Sequence, residues 1–468
     1  MFVPLYILIP LAVLAAMALV ERILLPPVRV LVRRWLRGVS DRVDTRLRLK
    51  LQPFKLTRKH IVEEMLLHDP EVALAAKSYR EANDLSWDEV TDLVRVWAHE
   101  IVPRFNVYLY YRPTHAFARG LARALYRVRI SFLDKRATAA MDTDASVIFV
   151  MNHRSNFDYI VVSYIVSRLA AISYAVGEWA RVWPLDTLLR RMGAYFVRRK
   201  ASDPLYRKVL ERFVQLSAES GVTQGIFPEG RLTRDGRLGQ PKLGLLSYLL
   251  KRFDPTSPRD LVFVPVGLNY DRVLEDRTHA QETAGTSVKA STGSAARTAL
   301  GAVAKYLWLI ARGRFHRFGF ACVNFGVPVS TKRYIAALGK DFRTMAEDEY
   351  RTEVERLGAV LMGEIARAVP VTPVALVARA FLDAGGTSVL TDDLVAAAEV
   401  DLVELRRRGA AVALPRTGAA ELVEHGLRSL RLRRIVHEAD GVLSIDAGDF
   451  PLLQYHANSI AHHFEDPP

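Results

Sequence analysis

His153 and Asp158, five residues apart in NHRSNFD, are the residues whose types and spacing best suit acid–base chemistry. Free imidazole titrates at about pH 6.5, so His153 can take a hydroxyl proton at neutral pH while Asp158 holds the ring and stabilises its charged form. Along a regular helix the two side chains would lie on different faces, so the pair requires the chain to turn between them. A loop histidine followed by a helix-capping aspartate is the alternative reading.

Three later stretches add charge and turn chemistry. GAYFVRR ends in Arg198 and Arg199, planar and permanently charged forks suited to phosphate oxygens. FPEGRLTRDG turns on Pro228 and its glycines and projects Glu229, Arg231 and Arg234; a buried Glu229 would accept a bond from a ligand hydroxyl or brace an arginine. VFVPVGLNYDR offers apolar residues and Pro265 as walls for a hydrocarbon chain. The chain has no Gly-x-Ser-x-Gly elbow, and its single cysteine, Cys322, sits in the strand-like FACVNFG, where a buried structural thiol is expected. No acyl-enzyme is therefore expected. His456, His462 and His463 lack the spacing of a helical zinc motif, and no metal is expected.

These residues need a scaffold that gathers strand exits at one end. Between about Ser146 and Ser330 the strand-like runs VIFVM, AISYAV, AYFVRR, VTQGIF, LVFVPVGLNY and GFACVNFGVPV alternate with helical ones such as 204–218 and 242–253. That alternation predicts an α/β fold with a central, largely parallel sheet flanked by helices, and ligands at the carboxyl ends of its strands. From about 51 to 130 the pattern is helical: Asp69-Pro70 opens one helix, and Ser86 with Glu89 makes a capping box for another. The arginine-rich HAFARGLARALYRVRI is taken as helical too. After Val371 come short helices, a hairpin-like RIVHEADGVLSI and a last helix in FPLLQYHANSIAHHF. The expected organisation is an anchor over 1–22, a basic helical region over 23–130, a catalytic domain over 131–335 and a mostly helical region over 336–468. Residues 281–297 read as a surface loop.

Composition narrows the class. The 468 residues are 50% hydrophobic and 25% charged with a formal charge of +14, which is globular and suits an anionic partner. One cysteine excludes an intramolecular disulfide framework. Phe2 to Val20 is uncharged and long enough to span a bilayer, with Arg22, Arg29, Arg33, Arg34 and Arg37 beyond it. This predicts a single uncleaved anchor with the body of the protein on the cytoplasmic face of the membrane; shallow interfacial insertion and a buried helix are the alternatives. No RNP, zinc-finger or P-loop pattern is present, and nucleic acid is not an expected partner.

In this order and spacing, the four stretches resemble the four sequence blocks of the glycerolipid acyltransferases, most nearly those of the bacterial-type membrane glycerol-3-phosphate acyltransferases. The motif likeness spans 147 to about 330, and LLQYHANSIAHHF is similar to that group's closing helix. The resemblance implies transfer of an acyl group from acyl-CoA or acyl-carrier protein to the sn-1 hydroxyl of glycerol 3-phosphate, with no metal or organic cofactor. It implies His153 as general base, Asp158 as its orienter, and Arg198, Arg199 and Arg234 on the phosphate. Glu229 and Gly230 would shape the glycerol pocket, and an anionic phospholipid membrane would be the working surface. The third block departs from the family pattern: Arg231 stands where a small residue is usual and Leu232 where the first arginine is, while Thr233 and Arg234 keep the pattern. Either Arg231 substitutes from one residue away or the acceptor pocket differs. 1-Acylglycerol 3-phosphate and dihydroxyacetone phosphate remain alternative acceptors, and a non-catalytic binder of anionic membrane is the reading outside the enzyme class.

Overall fold

A computed structural model describes residues 59–105, 115–166, 172–177, 185–198, 203–283, 301 and 317–465. The expected anchor, residues 23–58, Arg199 and most of 281–297 lie outside them. No helix among the described residues is long and apolar enough to cross a membrane.

Two apolar runs build the centre of the sheet. SVIFVM forms β2 (Ser146–Met151) and LVFVPVGLNY forms β6 (Leu261–Tyr270), and every residue of both is buried. Strands apolar on both faces are stable only when covered on both faces. With β1 (Arg127–Phe132), β3 (Ser173–Gly177), β4 (Tyr195–Val197), β5 (Gln224–Ile226) and β7 (Phe320–Phe325) they make one sheet in the order β1-β7-β6-β2-β5-β3-β4. A short β8 (Val329–Ser330) also pairs with β6. Strands β2 to β6 run parallel to one another, whereas β7 is antiparallel to β6, and β1 is parallel to β7. The segments leaving β2, β4, β5 and β6, which hold the four chemical stretches, thus emerge at one end of the sheet.

Pro265 sits mid-strand opposite Val150. Its carbonyl accepts from Gly326 N–H (2.8 Å), so its ring nitrogen faces the gap between β7 and β8, where no donor is needed. This buried proline therefore lies within the sheet. Two residues on, Gly267 lets the helix Glu347–Ala368 cross against the strand: a Cβ there would lie 2.2 Å from the Ala368 carbonyl.

The amino-terminal helices form as the caps predict. Asp69 caps Pro70–Asn83 through Glu71 and Val72 N–H, and the Ser86–Glu89 box opens Trp87–Ile101. They lie on the helix Pro204–Glu219, where Asp69 meets Arg212 at 2.8 Å in a buried ion pair and Tyr79 donates to Asp203 at 2.8 Å. One expectation fails here. The helix His115–Leu125 ends before Arg127, and RVRISF is an edge strand beside β7, so the sheet takes in residues from 127, well before the first expected strand at about 146. Arg119, Arg123 and Arg127 are spaced by four, which prolongs a helical phase into a segment whose strand partner lies almost two hundred residues away.

The boundary expected at 336 also moves. Ile335, Phe342, Tyr350, Leu357 and Ile365 share the core of the sheet, and a separate core begins at Val371. That second core surrounds the buried helix Pro373–Asp383 with Thr391–Arg407, Ala419–Leu432 and Phe450–Asn458. Beside them lies a three-stranded antiparallel sheet of β9 (Ser388–Leu390), β10 (Val436–Ala439) and β11 (Val442–Ile445). The sequence reading holds only the β10–β11 hairpin; three-residue β9 is too short to show an alternation.

Asp271, just beyond β6, joins the two cores by accepting from Phe320 N–H (2.7 Å) and Val374 N–H (3.0 Å). Burial pushes its carboxyl up to about 6 despite these donors. Its folded form therefore holds a proton more firmly than the unfolded chain. The stability it contributes is present below about pH 4 and is lost as pH rises through 6. Denaturant unfolding across this window should show a fall of order 3 kcal/mol attributable to this group, which Asp271→Asn should lack. Identical slopes in the two proteins would contradict the assignment.

Candidate active site

The histidine loop leaves β2 and turns at once. Asn152 continues the strand pairing with its side chain: Nδ2 donates to Leu268 O (2.9 Å), and Oδ1 accepts from Leu268 N–H (2.7 Å). Asp158 N–H then donates to Ser155 O (3.0 Å), which closes the loop and starts the helix Asp158–Val166. This turn brings together the pair that a helix would separate. His153 Nδ1 lies 2.9 Å from Asp158 Oδ2, with the histidine side chain 6% and the aspartate 0% exposed.

Asp158 is surrounded by donors. Oδ2 accepts from the N–H groups of Arg154 (2.8 Å) and Ser155 (3.0 Å) as well as facing the imidazole. Oδ1 accepts from the Tyr270 hydroxyl at 2.6 Å. Burial, and then the nearby carboxylate, push that phenol well above its ordinary range, so Tyr270 stays a donor. Because Asp158 accepts only, Nδ1 carries the hydrogen and Nε2 is the nitrogen available to take a proton. The ring is wedged between aromatics, stacked on Phe227 at 4.1 Å and edge-on to Tyr159 at 5.6 Å. The arrangement has the features a general base requires: a fixed tautomer and a carboxylate placed to stabilise the cationic ring.

Two further carboxylates, Glu229 buried and Glu275 half-buried, hold the loop. Glu229 Oε1 accepts from His153 N–H (2.9 Å) and Oε2 from Gly239 N–H (2.8 Å). Glu275 accepts from the Ser155 hydroxyl (2.7 Å) and Asn156 N–H (3.2 Å). Burial raises both carboxyls. Both oxygens of Glu229 are thus engaged by main chain, and they brace the loop of His153. Thr233 completes the brace from the other side, donating its N–H to His153 O at 3.1 Å.

The arginines are distributed more widely. Arg198 grips Glu100 side-on, Nε to Oε1 at 2.9 Å and Nη2 to Oε2 at 2.6 Å, with its guanidinium over the Tyr206 ring. Arg231, Arg234 and Gly230 are exposed on the turn after β5. Pro265 lies in the sheet under the helix 347–368. His456 stands 3.3 Å from Asp276, beside the Asp276–Arg433 pair at 2.8 Å. Burial alone would raise Asp276, but His456 and Arg433 together hold it at about 2. His462 and His463 face the carbonyls of Ala366 (3.1 Å) and Val369 (2.8 Å). Cys322 is buried in β7. A cavity of about 650 Å³ opens at the other end of the sheet, beside Ser146 and Leu261 at the starts of β2 and β6, away from these groups.

Sequence reasoning missed Asn152, Arg154, Thr233, Tyr270 and Glu275 as site residues. The first four lie inside the quoted stretches, and a polar residue at the exit of an all-apolar strand was the available signal.

Comparison with known proteins adds an independent line. Residues 127–269 match the acyltransferase family, and residues 303–467 match the glycerol-3-phosphate acyltransferase C-terminal region. A glycerol-3-phosphate acyltransferase of Pseudomonas putida is 32% identical over 336 residues, 69% of this chain and 39% of that protein. One of Xylella fastidiosa is 26% identical over 455 residues, 94% of this chain and 51% of that protein. The crystal structure of a 1-acyl-sn-glycerophosphate acyltransferase from Thermotoga maritima aligns at 15% identity with a TM-score of 0.31, covering 66% of this chain and 97% of that one. The chain thus spans from two fifths to one half the length of these curated relatives.

The geometry makes a graded prediction for whatever reaction His153 serves. Tyr270→Phe removes one of four donors and should slow the chemical step roughly tenfold. Asp158→Asn removes the negative charge that would stabilise the imidazolium, at roughly 10³–10⁴-fold. KM should change little in either, and a reversed order in measured kcat would contradict the arrangement.

Proposed function

The chain belongs to the glycerolipid acyltransferase family, and from that premise we propose that it acylates the sn-1 hydroxyl of glycerol 3-phosphate to give lysophosphatidate, with a thioester of CoA or acyl-carrier protein as donor. The observation that carries this reading is the His153–Asp158 contact of 2.9 Å at the carboxyl end of β2.

Nε2 of His153 takes the hydroxyl proton as the oxygen attacks the thioester carbonyl. The C–O bond forms, the C–S bond breaks, and the departing thiolate recovers the proton from the imidazolium. Asp158 stabilises the cation during that interval, and its three other donors keep the carboxylate from rotating away. Arg198, Arg199 and Arg234 supply positive charge for the acceptor's phosphate in this reading, and the +14 balance of the chain is consistent with an anionic substrate.

The working surface in this proposal is an anionic phospholipid membrane. Beyond the apolar stretch Phe2–Val20, the segment 116–136 supports it. There Phe117, Ile130 and Leu133 are 49%, 44% and 38% exposed, interspersed with exposed Arg119, Arg123, Arg127, Arg129 and Arg136. Exposed apolar side chains among arginines match the boundary between anionic headgroups and acyl chains.

The first test is acyl transfer from palmitoyl-CoA by membranes carrying the protein. Glycerol 3-phosphate should be acylated and 1-acylglycerol 3-phosphate should not, with His153→Ala reducing the rate at least about 10³-fold. Acylation of the lysolipid alone would replace the acceptor and keep the mechanism. For the surface, Arg119→Glu with Arg123→Glu in the full chain should weaken binding to phosphatidylglycerol vesicles about tenfold or more and leave weak binding to phosphatidylcholine vesicles unchanged. Equal retention by both proteins would remove segment 116–136 from the membrane contact.

A further inference from the structure

The histidine loop has an anchor that the base and its aspartate do not themselves require. Arg154, next to the base, is 1% exposed and among the largest fully buried side chains. Its backbone N–H donates to Asp158 Oδ2, the same oxygen that faces His153. Its guanidinium runs the other way, into the seam between the two cores. Nη1 donates to Gly236 O, and Nη2 donates to Ser459 O at 2.9 Å. Nε is buried with no acceptor among the described residues. A buried cation with an unmet donor does little for stability by itself, so what these contacts supply is position.

Both acceptors belong to segments that bear on His153. The turn carrying Gly236 holds His153 main chain through Glu229 and Thr233. The segment carrying Ser459 closes the C-terminal region, and it meets the same turn independently. Asn458 Nδ2 donates to Asp235 O at 2.8 Å. Gly236, at φ +86°, approaches Tyr455 so closely that a Cβ would lie 2.0 Å from its carbonyl oxygen. Asn269, at the end of β6, adds a bond of 3.1 Å to the Ser459 hydroxyl. A closed circuit results: His153 to Thr233, along the turn to Gly236, through Arg154 to Ser459, and through Arg154 main chain to Asp158 and back to the imidazole.

We infer that Arg154 is a positioning residue for His153, and that residues 455–460 of the C-terminal region are a working part of the active site because Arg154 ties the loop of the base to them. A two-pronged guanidinium spans two carbonyls at once, which an ammonium of similar reach does not. The kinetic arm of the test rests on the acyl-transfer proposal, and the exchange arm does not.

Three variants of the full chain separate the possibilities: Arg154→Lys, Arg154→Met, and Gly236→Ala, which acts from the far side of the circuit without altering the histidine loop. Hydrogen exchange read by mass spectrometry should quicken in peptides covering 152–158 and 455–463 together, in Arg154→Met and in Gly236→Ala alike. In both, kcat should fall about 10²-fold while KM for acceptor and donor stays within roughly threefold. Arg154→Lys should recover part of the rate, and the Arg154→Met, Gly236→Ala double variant should be no slower than the slower single one. Faster exchange confined to the substituted segment would overturn the inference. So would a uniform rise across the whole chain, which marks a merely structural role. A wild-type protein that transfers no acyl group would refute the acyl-transfer proposal and leave the exchange pattern to decide the role of Arg154.

Discussion

A carboxylate fully removed from water, Asp158, sets the terms for the rest of this structure. Burying a charge is tolerable only when hydrogen bonds replace its lost hydration. Here four donors do so: an imidazole, two main-chain N–H groups and a phenol. Each constrains something larger. The N–H groups require the tight turn at Ser155, and the phenol requires β6 to lie beside β2 in a register that carries Tyr270 beyond the end of β2. The imidazole in return has its tautomer chosen for it. A parallel arrangement of β2 and β6, covered on both faces, is the simplest frame that meets all of these demands.

The same device recurs around the site. Buried Glu229 and half-buried Glu275 accept from the histidine loop, and Asp271 bridges Phe320 and Val374 in the seam between the cores. In a chain of net positive charge, Glu229 and Asp271 thus serve as structural acceptors for main-chain donors. Arg212 and Arg433 are drawn into buried ion pairs, while Arg231 and Arg234 lie exposed on the turn after β5.

The second core gives the chain beyond Val371 a definite place. It is too large to be a tail and contributes no side chain to the base pair, yet its closing segment touches the turn and the arginine that frame His153. Asp276, Arg433 and His456 close the seam with a desolvated cluster in which the carboxylate and guanidinium offset each other's burial. Such a seam is sensitive to small displacements, because groups this buried have no water to fall back on.

What was legible in the sequence was local. Apolar runs marked β2 and β6, Asp69 and the Ser86–Glu89 box marked helix starts, and His153 with Asp158 declared a pair that would need a turn between them. Each of these follows from residues within a few positions of one another. What the tertiary structure alone decided involves partners far apart in the chain. Arg127 belongs to a strand because β7 lies beside it, and Arg198 meets Glu100 because a helix from before the sheet folds back on it. Glu229 is a brace because His153 N–H reaches it across 76 residues, and Arg154 reaches Ser459 across 305. No local pattern encodes such distances. A side chain's type states which bonds it can make, and only packing states which partner is there to make them.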